Sequence, residues 1–259
     1  MERKPNIVFI PNIDLGEGRA NPYQLSVDSW GLWASSQPNT KVVVWTEPIL
    51  DPKIYPIILQ RDWVLDILDN SNIEYDQVLI VDADTIVHPQ CPDFFQLTDH
   101  KFSAVRNNGC YEWVQRSIKG WGDALFEGKT YFDLWDYFNT GFIIINEKHK
   151  PFMKELQDLY MSRGEEIKHH RKIIKASTGQ TIVNFMTRKH GVEIQYLPEQ
   201  YNFQDMFRKN LLHHPGHSWF TDELHFLDWA YVYHFNAMVS PDRATDYWMK
   251  RTYKELYGK

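Results

Sequence analysis

The sequence predicts an α/β fold in which one central, mostly parallel sheet is flanked by helices. Short apolar runs alternate with helical patterns through the first third of the chain, an order that is typical of parallel strands joined by crossover helices. The chain has 259 residues, which is enough to bury one large core. Its 43% hydrophobic and 24% charged residues are close to the averages of soluble globular proteins, so disorder and coiled coil are excluded.

The first three strands are continuous apolar runs, as expected for strands that are buried on both faces. They cover residues 6–10, which end at Pro11, then residues 41–45 and 77–81. Apolar residues at helical spacing predict helices over 26–35 and 57–68, between these strands. Since ligands of such sheets bind beyond the carboxyl ends of the strands, we expect the chemistry just after residues 10, 45 and 81.

The second half of the chain is predicted from the same patterns. It comprises a central strand over 138–146, helices over 150–163 and 179–189, a short strand over 192–197, an aromatic-rich strand over 231–235 and a helix over 243–257. No repeat or linker divides the chain. We therefore expect residues 1–259 to form a single domain, in which 240–259 is a C-terminal helical extension.

Charge and cysteine content limit the partners and the compartment. A net charge of −6 leaves no electrostatic footprint for nucleic acid. No stretch is apolar for long enough to form a transmembrane segment. Cys91 and Cys110 could pair, but nothing in their spacing demands it and no redox or metal motif surrounds them. A reduced, cytoplasmic location is the simpler expectation.

An acidic turn, Asp82-Ala83-Asp84, follows the third predicted strand. Two carboxylates at a strand end can converge on a hard divalent cation and leave coordination positions open for a substrate phosphate. The alternative is a turn in which the Asp side chains satisfy their own backbone. The position at the ligand-binding edge of the sheet favours the cation.

The segment that contains this turn, YDQVLIVDADTIVHP, resembles the Asp-x-Asp motif region of glycosyltransferases with the A-type (GT-A) nucleotide-sugar fold. The resemblance is closest to the retaining enzymes related to glycogenin and to bacterial lipopolysaccharide galactosyltransferases. YFNTGFIIIN, TGQTIVN, LPEQYNFQ and YVYHFNA resemble further segments in that family's order. The resemblance covers roughly residues 5–240 and implies a Rossmann-like catalytic domain.

The resemblance also implies a metal site. Asp82 and Asp84 occupy the positions that hold Mn²⁺ or Mg²⁺ against the diphosphate of a nucleotide sugar, and His234 matches the third ligand. An imidazole ligand suits Mn²⁺ better than Mg²⁺. The alternative is that His234 is an ordinary core residue of an aromatic strand.

By the same resemblance, further residues bind the donor. The positions that match are Pro11, Asn12, Asp14, Arg19, Arg61, Ala83, Asn139, Gly141 and Gln180. The loop after the first strand would hold the nucleoside, and a guanidinium is well matched to its diphosphate. A surface salt bridge is the alternative for Arg61, and an ordinary turn before a strand is the alternative for Asn139.

Asn139 and Gln180 are the residues expected to act in catalysis. Asn139 can bond sugar hydroxyls as donor and acceptor, and Gln180 would stabilise an oxocarbenium-like transition state. The chain departs from the family pattern at two places. Gly179 replaces the Asp that precedes this Gln, and Asn-Ala-Met at 236–238 replaces Lys-Pro-Trp.

The function expected from these residues is transfer of a hexose from a UDP-sugar, UDP-glucose or UDP-galactose, to a hydroxyl acceptor such as a glycan, with retention. Inversion would need a carboxylate base, for which Asp136 and Asp205 are the candidates. The alternatives are a nucleotidyltransferase and an inactive sugar- or nucleotide-binding relative. Trp113, Trp121 and Trp135 are candidates for an aromatic platform under the acceptor.

Overall fold

The computed structural model describes residues 3–16, 20–212, 223–236 and 245–258, and its regular elements are defined within these ranges. The strands are β1 Asn6–Pro11, β2 Thr40–Trp45, β3 Gln77–Val81, β4 Thr85–Val87, β5 Phe102–Arg106, β6 Phe138–Asn146, β7 Ile194–Tyr196 and β8 Val232–His234. The α-helices are α1 Ala20–Ser36, α2 Ile57–Gln60, α3 Val64–Asn70, α4 Tyr111–Leu125, α5 Lys150–Ile174, α6 Gly179–Lys189 and α7 Thr245–Tyr257.

Six strands form the central sheet in the order β2-β1-β3-β6-β5-β7. β1 pairs in parallel with β2 and β3, and β7 pairs in parallel with β5. β6 is antiparallel to both of its neighbours, β3 and β5, so β5 runs in the same direction as β3. Five of these six strands therefore share one direction, and the prediction of a mostly parallel sheet is confirmed.

The reversed direction of β6 determines where the site lies. Its first residues are at the same edge of the sheet as the last residues of β3 and β5. Val81 is paired with Phe142, and the backbone N–H of Asp82 donates to the carbonyl of Gly141 at 3.0 Å. Val105 is paired with Asn139. The ends of β1, β3, β5 and β7 and the start of β6 thus form one continuous edge.

Helices cover both faces of the sheet, because alternate side chains of each strand point to opposite sides. Phe9 and Ile80 belong to a core that includes side chains of α3, α4, α5 and α6. Ile10 and Leu79 belong to a second core on the other face, where Trp30 and other side chains of α1 pack. The flanked sheet matches the predicted fold class.

The predicted helix over 57–68 is divided into three parts. A 3₁₀ turn, Arg61–Trp63, separates α2 from α3. Arg61 and Asp62 are both buried in this turn, while Ile58 is 47% exposed. Short 3₁₀ segments inside helices are often associated with functional sites, and this one places Arg61 near the acidic turn.

Two other helices are longer than expected. α1 begins at Ala20, within the predicted loop, and Pro22 lies in its first turn, where proline is tolerated. α5 continues past Arg163 to Ile174 across a kink with non-helical φ and ψ at Arg163. The Arg163 guanidinium donates to the carbonyls of Ala124 and Leu125 and so joins the kink to the end of α4.

The C-terminal part adds a small second sheet. β8 pairs antiparallel with β4, so the aromatic-rich strand lies outside the central sheet. α7 packs on it through Trp248 and Met249, which share a core with Tyr233. The division into one domain with a C-terminal extension stays a prediction.

Cysteines and hydropathy add two findings. Cys91 and Cys110 are free thiols. Within the described ranges, no helix combines the length and the apolar character that crossing a bilayer requires. The cytoplasmic location stays a prediction.

Candidate functional site

The acidic turn and the small second sheet bring three potential metal ligands together. Nε2 of His234 lies 3.1 Å from Oδ1 of Asp84 and 3.6 Å from Oδ2 of Asp82. The strand pairing causes this, since His234 is directly opposite Thr85, the residue that follows Asp84. Thr85 also closes the acidic turn, because its hydroxyl donates to the Asp82 carbonyl at 2.8 Å.

The His234 ring is held in one orientation by buried amides. Nδ2 of Asn202 donates to Oδ1 of Asn139 at 3.1 Å, so Oδ1 of Asn202 is left to accept from Nδ1 of His234 at 3.0 Å. With the proton on Nδ1, the lone pair of a neutral ring is on Nε2, which faces the carboxylates. Metal-binding histidines are typically oriented in this way by a second hydrogen bond.

The potential around His234 is negative. Burial alone lowers the pKa of its imidazole, but the carboxylates of Asp84 and Asp82 act in the opposite direction and the net effect raises it above its usual value. Nε2 of this buried ring makes no hydrogen bond of good geometry with any described residue. An electron-pair donor without a hydrogen-bond partner beside two carboxylates is a position that favours a cation.

The residues present fit a divalent metal. One ligand atom from each of Asp82, Asp84 and His234 lies within 4.8 Å of the others. Two carboxylates and one imidazole suit Mn²⁺, and open positions would remain for substrate oxygens. The space is kept by Gly141, since a Cβ atom there would lie 2.3 Å from Cε1 of His234 and 2.6 Å from Oδ2 of Asp82.

Arg61 extends the site toward β6. Its guanidinium is only 3% exposed and donates to Oδ1 of Asp82 and to the hydroxyl of Thr140. The surface salt bridge considered as an alternative is therefore wrong, because the Arg61 side chain is buried. Its Nε has no hydrogen-bond partner among the described residues. A buried, forked cation beside the acidic turn can bind phosphate oxygens.

Gln180 lies near the ion pair of Arg61 and Asp82, because it and Arg61 both contact Thr140. Its Oε1 accepts from the backbone N–H of Thr140 at 3.3 Å, and its buried Nε2 has no partner within the described residues. The surroundings of Gly179 explain why glycine replaces the Asp of the resembled motif. A Cβ atom there would lie 3.1 Å from Cδ2 of Leu59 and 3.6 Å from the carbonyl of Ile58, so an Asp would fit only if Leu59 moved.

The predicted loop residues are positioned less closely. Pro11 ends β1 beside Trp45, and the Asn12 N–H donates to the Trp45 carbonyl at 2.9 Å. Asp14 is exposed and accepts from the N–H of Gly16. These residues follow the strand adjacent to β3 at the same edge, but among the described residues they form no hydrogen bond or ion pair with the acidic cluster. Arg19 lies outside the described residues.

Two residues of the site were missed by sequence reasoning. Asn202 orients His234, and Thr140 accepts from Arg61. Asn202 belongs to the LPEQYNFQ segment, whose resemblance was noted without a role for any residue, and Thr140 lies between Asn139 and Gly141. The one feature that could have identified them is that they lie next to motif residues in the sequence. Nothing else in the sequence indicates that a buried Asn or Thr will contact a distant side chain.

The two candidate bases differ in environment. The side chain of Asp205 is 4% exposed and forms an ion pair with Arg208 at 2.9 Å. Asp136 is 45% exposed and pairs with Arg106 at 3.2 Å. The Asp205 carboxylate also raises the pKa of His234, though less than those of Asp84 and Asp82 do.

A second buried carboxylate lies behind Arg61. Asp62 accepts from the Tyr160 hydroxyl at 3.1 Å, and its backbone carbonyl accepts from the Gln157 amide at the same distance. Burial raises the pKa of Asp62 to about 6, and the opposing effects of Arg61 and the Tyr160 hydrogen bond do not offset it. This carboxyl therefore keeps its proton to a higher pH than an ordinary Asp does.

Asp62→Asn should change how the stability depends on pH. The native state keeps the Asp62 proton up to about pH 6, whereas the unfolded chain loses it near 3.8, so this contribution to stability is present below pH 3.8 and lost as the pH rises through 6. At 1.36 kcal/mol per unit, the loss is about 3 kcal/mol. Urea unfolding at about pH 4 and pH 8 should show the variant gaining most of that amount relative to wild type. A difference that does not change with pH would contradict the assignment.

Comparisons with known proteins show which solved structures share this fold. No protein-family model and no curated protein matches the chain. Among solved structures, the chain is similar to a glycosyltransferase involved in the glycosylation of the major capsid of PBCV-1. The TM-score is 0.57 at 10% identity, and the match covers 95% of this chain and 100% of that one. At this identity the likeness shows a shared fold.

Two further structures are similar at lower scores. Glycosyltransferase GlyE of Streptococcus pneumoniae TIGR4 matches with a TM-score of 0.47 and 16% identity over 93% of this chain and 56% of GlyE. Mouse xyloside xylosyltransferase 1 matches with a TM-score of 0.48 and 11% identity over 90% of this chain and 98% of that one.

Proposed function

We propose that the chain is a metal-dependent glycosyltransferase that transfers a hexose from a UDP-sugar, UDP-glucose or UDP-galactose, to a hydroxyl acceptor. The observation that carries the proposal is the cluster of Asp82, Asp84 and His234 at the carboxyl edge of β3. The fold shared with the capsid glycosyltransferase of PBCV-1 is consistent with it. The narrower resemblance to the glycogenin and lipopolysaccharide galactosyltransferase group stays a prediction.

In this proposal Asp82, Asp84 and His234 would hold Mn²⁺, with Mg²⁺ as the alternative. When bound, the metal would neutralise the charge that develops on the leaving diphosphate. Arg61 would bind the same diphosphate, and its guanidinium would then contact both the diphosphate and Asp82. The loop residues Pro11, Asn12 and Asp14 are proposed to contact the nucleoside, and Arg19 of the same loop is proposed to contact the phosphate, since they follow β1 in the chain.

The sugar would lie between Asn139 and Gln180. Oδ1 of Asn139 already accepts from Gly141 and Asn202, so its amide N–H group is the part that would contact a sugar hydroxyl. An amide oxygen has two lone pairs, so Oε1 of Gln180 could bond Thr140 and still stabilise a positively charged sugar ring. The buried surroundings strengthen both interactions.

We propose that the reaction proceeds with retention, as the resemblance implies. The acceptor oxygen forms a bond to the anomeric carbon while the bond from that carbon to the diphosphate oxygen breaks. The acceptor proton passes to the departing diphosphate on the same face. No side-chain base is needed in this sequence of events, whereas inversion would require Asp136 or Asp205 to remove that proton.

The test is release of UDP from UDP-glucose and UDP-galactose by the full chain, with Mn²⁺ and with a chelator. We expect release only with the metal, and NMR of the glycosylated product should show an α-linkage from the α-linked donor. Metal-dependent UDP binding in calorimetry without any release would favour an inactive nucleotide-binding protein. Pyrophosphate release from a nucleoside triphosphate would favour a nucleotidyltransferase, and no UDP binding at all would contradict the proposal.

A further inference from the structure

A cavity of about 510 Å³ opens at the edge of the sheet that also carries the acidic cluster. It lies between the end of β5 and the loop that follows β7. The side chains that matter here are Arg106, Asn107, Tyr111, Trp135, Asp136 and Glu199. Its volume is within the range of small-molecule sites.

The cavity is close to the proposed donor site. β5 is separated from β3 by β6 alone, so two strand spacings of about 4.8 Å put the end of β5, which borders the cavity, roughly 10 Å from the end of β3. The connection is direct, since Val105 is paired with Asn139 and the N–H of Asn107 donates to the Tyr137 carbonyl. Val105, which borders the cavity, is therefore the strand partner of Asn139, the residue proposed to contact the donor sugar.

An exposed aromatic ring borders the cavity. Trp135 is 62% exposed and meets the Tyr111 ring edge-on at 5.2 Å. Its backbone is fixed, because its N–H donates to Asp133 and its carbonyl accepts from Arg106. A large apolar ring that is exposed and immobilised can stack on the apolar face of a pyranose without losing much freedom. Trp121, by contrast, is fully buried, so the expected three-tryptophan platform is wrong for that residue.

The polar groups of the lining favour a neutral ligand. Arg106 is paired with Asp136, and Glu199 accepts from Lys209 at 2.6 Å, so the charges are already compensated. Asn107 is 4% exposed, and its Oδ1 has no hydrogen-bond partner among the described residues. A buried acceptor of this kind is expected to bond a donor from a ligand or from water. A sugar hydroxyl can supply that donor.

We propose that this cavity is the acceptor subsite and that the acceptor is a neutral saccharide. A pyranose ring stacks on Trp135, and one of its hydroxyls donates to Oδ1 of Asn107. The inference deepens the proposed function and rests on it for the meaning of acceptor. Saccharide binding at Trp135 is a separate property that can be measured on its own.

The test is saturation-transfer NMR on the full chain with methyl glycosides of glucose, galactose, mannose and N-acetylglucosamine. We expect at least one glycoside to bind, and Trp135→Ala to weaken it about tenfold, as loss of one aromatic contact would. Trp229→Ala is the matched control. Trp229 is 72% exposed and does not line the cavity, so its replacement should leave glycoside binding unchanged.

Calorimetry of UDP with Mn²⁺ on the wild-type chain separates the two possible failures. If UDP binds but no glycoside does, or if both tryptophan variants bind a glycoside equally well, the saccharide subsite is wrong and the glycosyltransferase proposal is unaffected. If a glycoside binds at Trp135 but UDP does not bind, the proposed function fails and a saccharide site remains. Binding of a neutral peptide in place of every glycoside would also overturn the inference.

Discussion

Asp84→Asn should abolish Mn²⁺-dependent UDP binding and UDP release while the chain stays folded. The substitution keeps the size of the side chain and removes the charge whose Oδ1 lies 3.1 Å from Nε2 of His234. Mutation of a residue that only supports a metal ligand typically reduces metal affinity or activity ~10–100-fold, so the loss of a ligand itself should exceed that range. Calorimetry with Mn²⁺ and UDP measures the affinity, and circular dichroism checks the fold.

Thermal unfolding provides a second measurement for the same variant. A ligand that binds the native state raises the melting temperature, so Mn²⁺ with UDP should stabilise the wild type and not Asp84→Asn. The control is Asp99→Asn, which removes a carboxylate that is 80% exposed at the opposite edge of the sheet and should behave like wild type. If Asp84→Asn kept wild-type UDP affinity, the metal cluster would not be the nucleotide site.

Gly141→Ala should destroy the same site by adding one methyl group. Its Cβ would lie 2.3 Å from Cε1 of His234, 2.6 Å from Oδ2 of Asp82 and 2.8 Å from Oδ1 of Asn139, all shorter than real Cβ contacts. The His234 side chain is 2% exposed and has no room to move away. Overpacking of this kind costs about 1–3 kcal/mol, and displaced ligands should reduce UDP affinity as strongly as Asp84→Asn does.

Gly31→Ala is the matched control for this substitution. Gly31 lies inside α1, and a Cβ atom there would meet nothing within 4 Å. Alanine is favoured over glycine in a helix by about 1 kcal/mol, so this variant should be slightly more stable than wild type and bind UDP normally. Urea unfolding of both variants should show a lower free energy of unfolding than wild type for Gly141→Ala and a higher one for Gly31→Ala. A Gly141→Ala chain that is as stable as Gly31→Ala and binds UDP with Mn²⁺ would disprove the role of the glycine.

The parts of the site that could be predicted are local in the chain. Asp82 and Asp84 were identifiable because an apolar strand precedes them, and strand ends of parallel sheets are where ligands bind. Gly141 and Asn139 were identifiable from a motif of adjacent residues. Asn202 was not, because its function is a hydrogen bond to His234, which lies 32 residues further along the chain.

Exposure was the other property that sequence could not supply. Trp121 and Trp135 lie within the same aromatic segment, yet one is fully buried in the core and the other is 62% exposed at a cavity. The difference follows from the element that each occupies. Trp121 is on the inner face of α4, and Trp135 is in a short 3₁₀ turn before β6. Burial depends on neighbours from other parts of the chain, which an aromatic count does not specify.

The sequence by itself determined six of the eight described strands, most of the helices and the acidic turn, because each depends on the spacing of residues within a few positions of one another. It did not predict β4, β5 or α4. Tertiary structure decided which polar side chains share a site. The pairing of β4 with β8 brings His234 to Asp84, and the 3₁₀ turn brings buried Arg61 to Asp82. The reversed β6 then places Asn139 and Gly141 between them. These contacts join residues that are distant in the chain, so packing free energy and strand register fix them, and no local pattern records them.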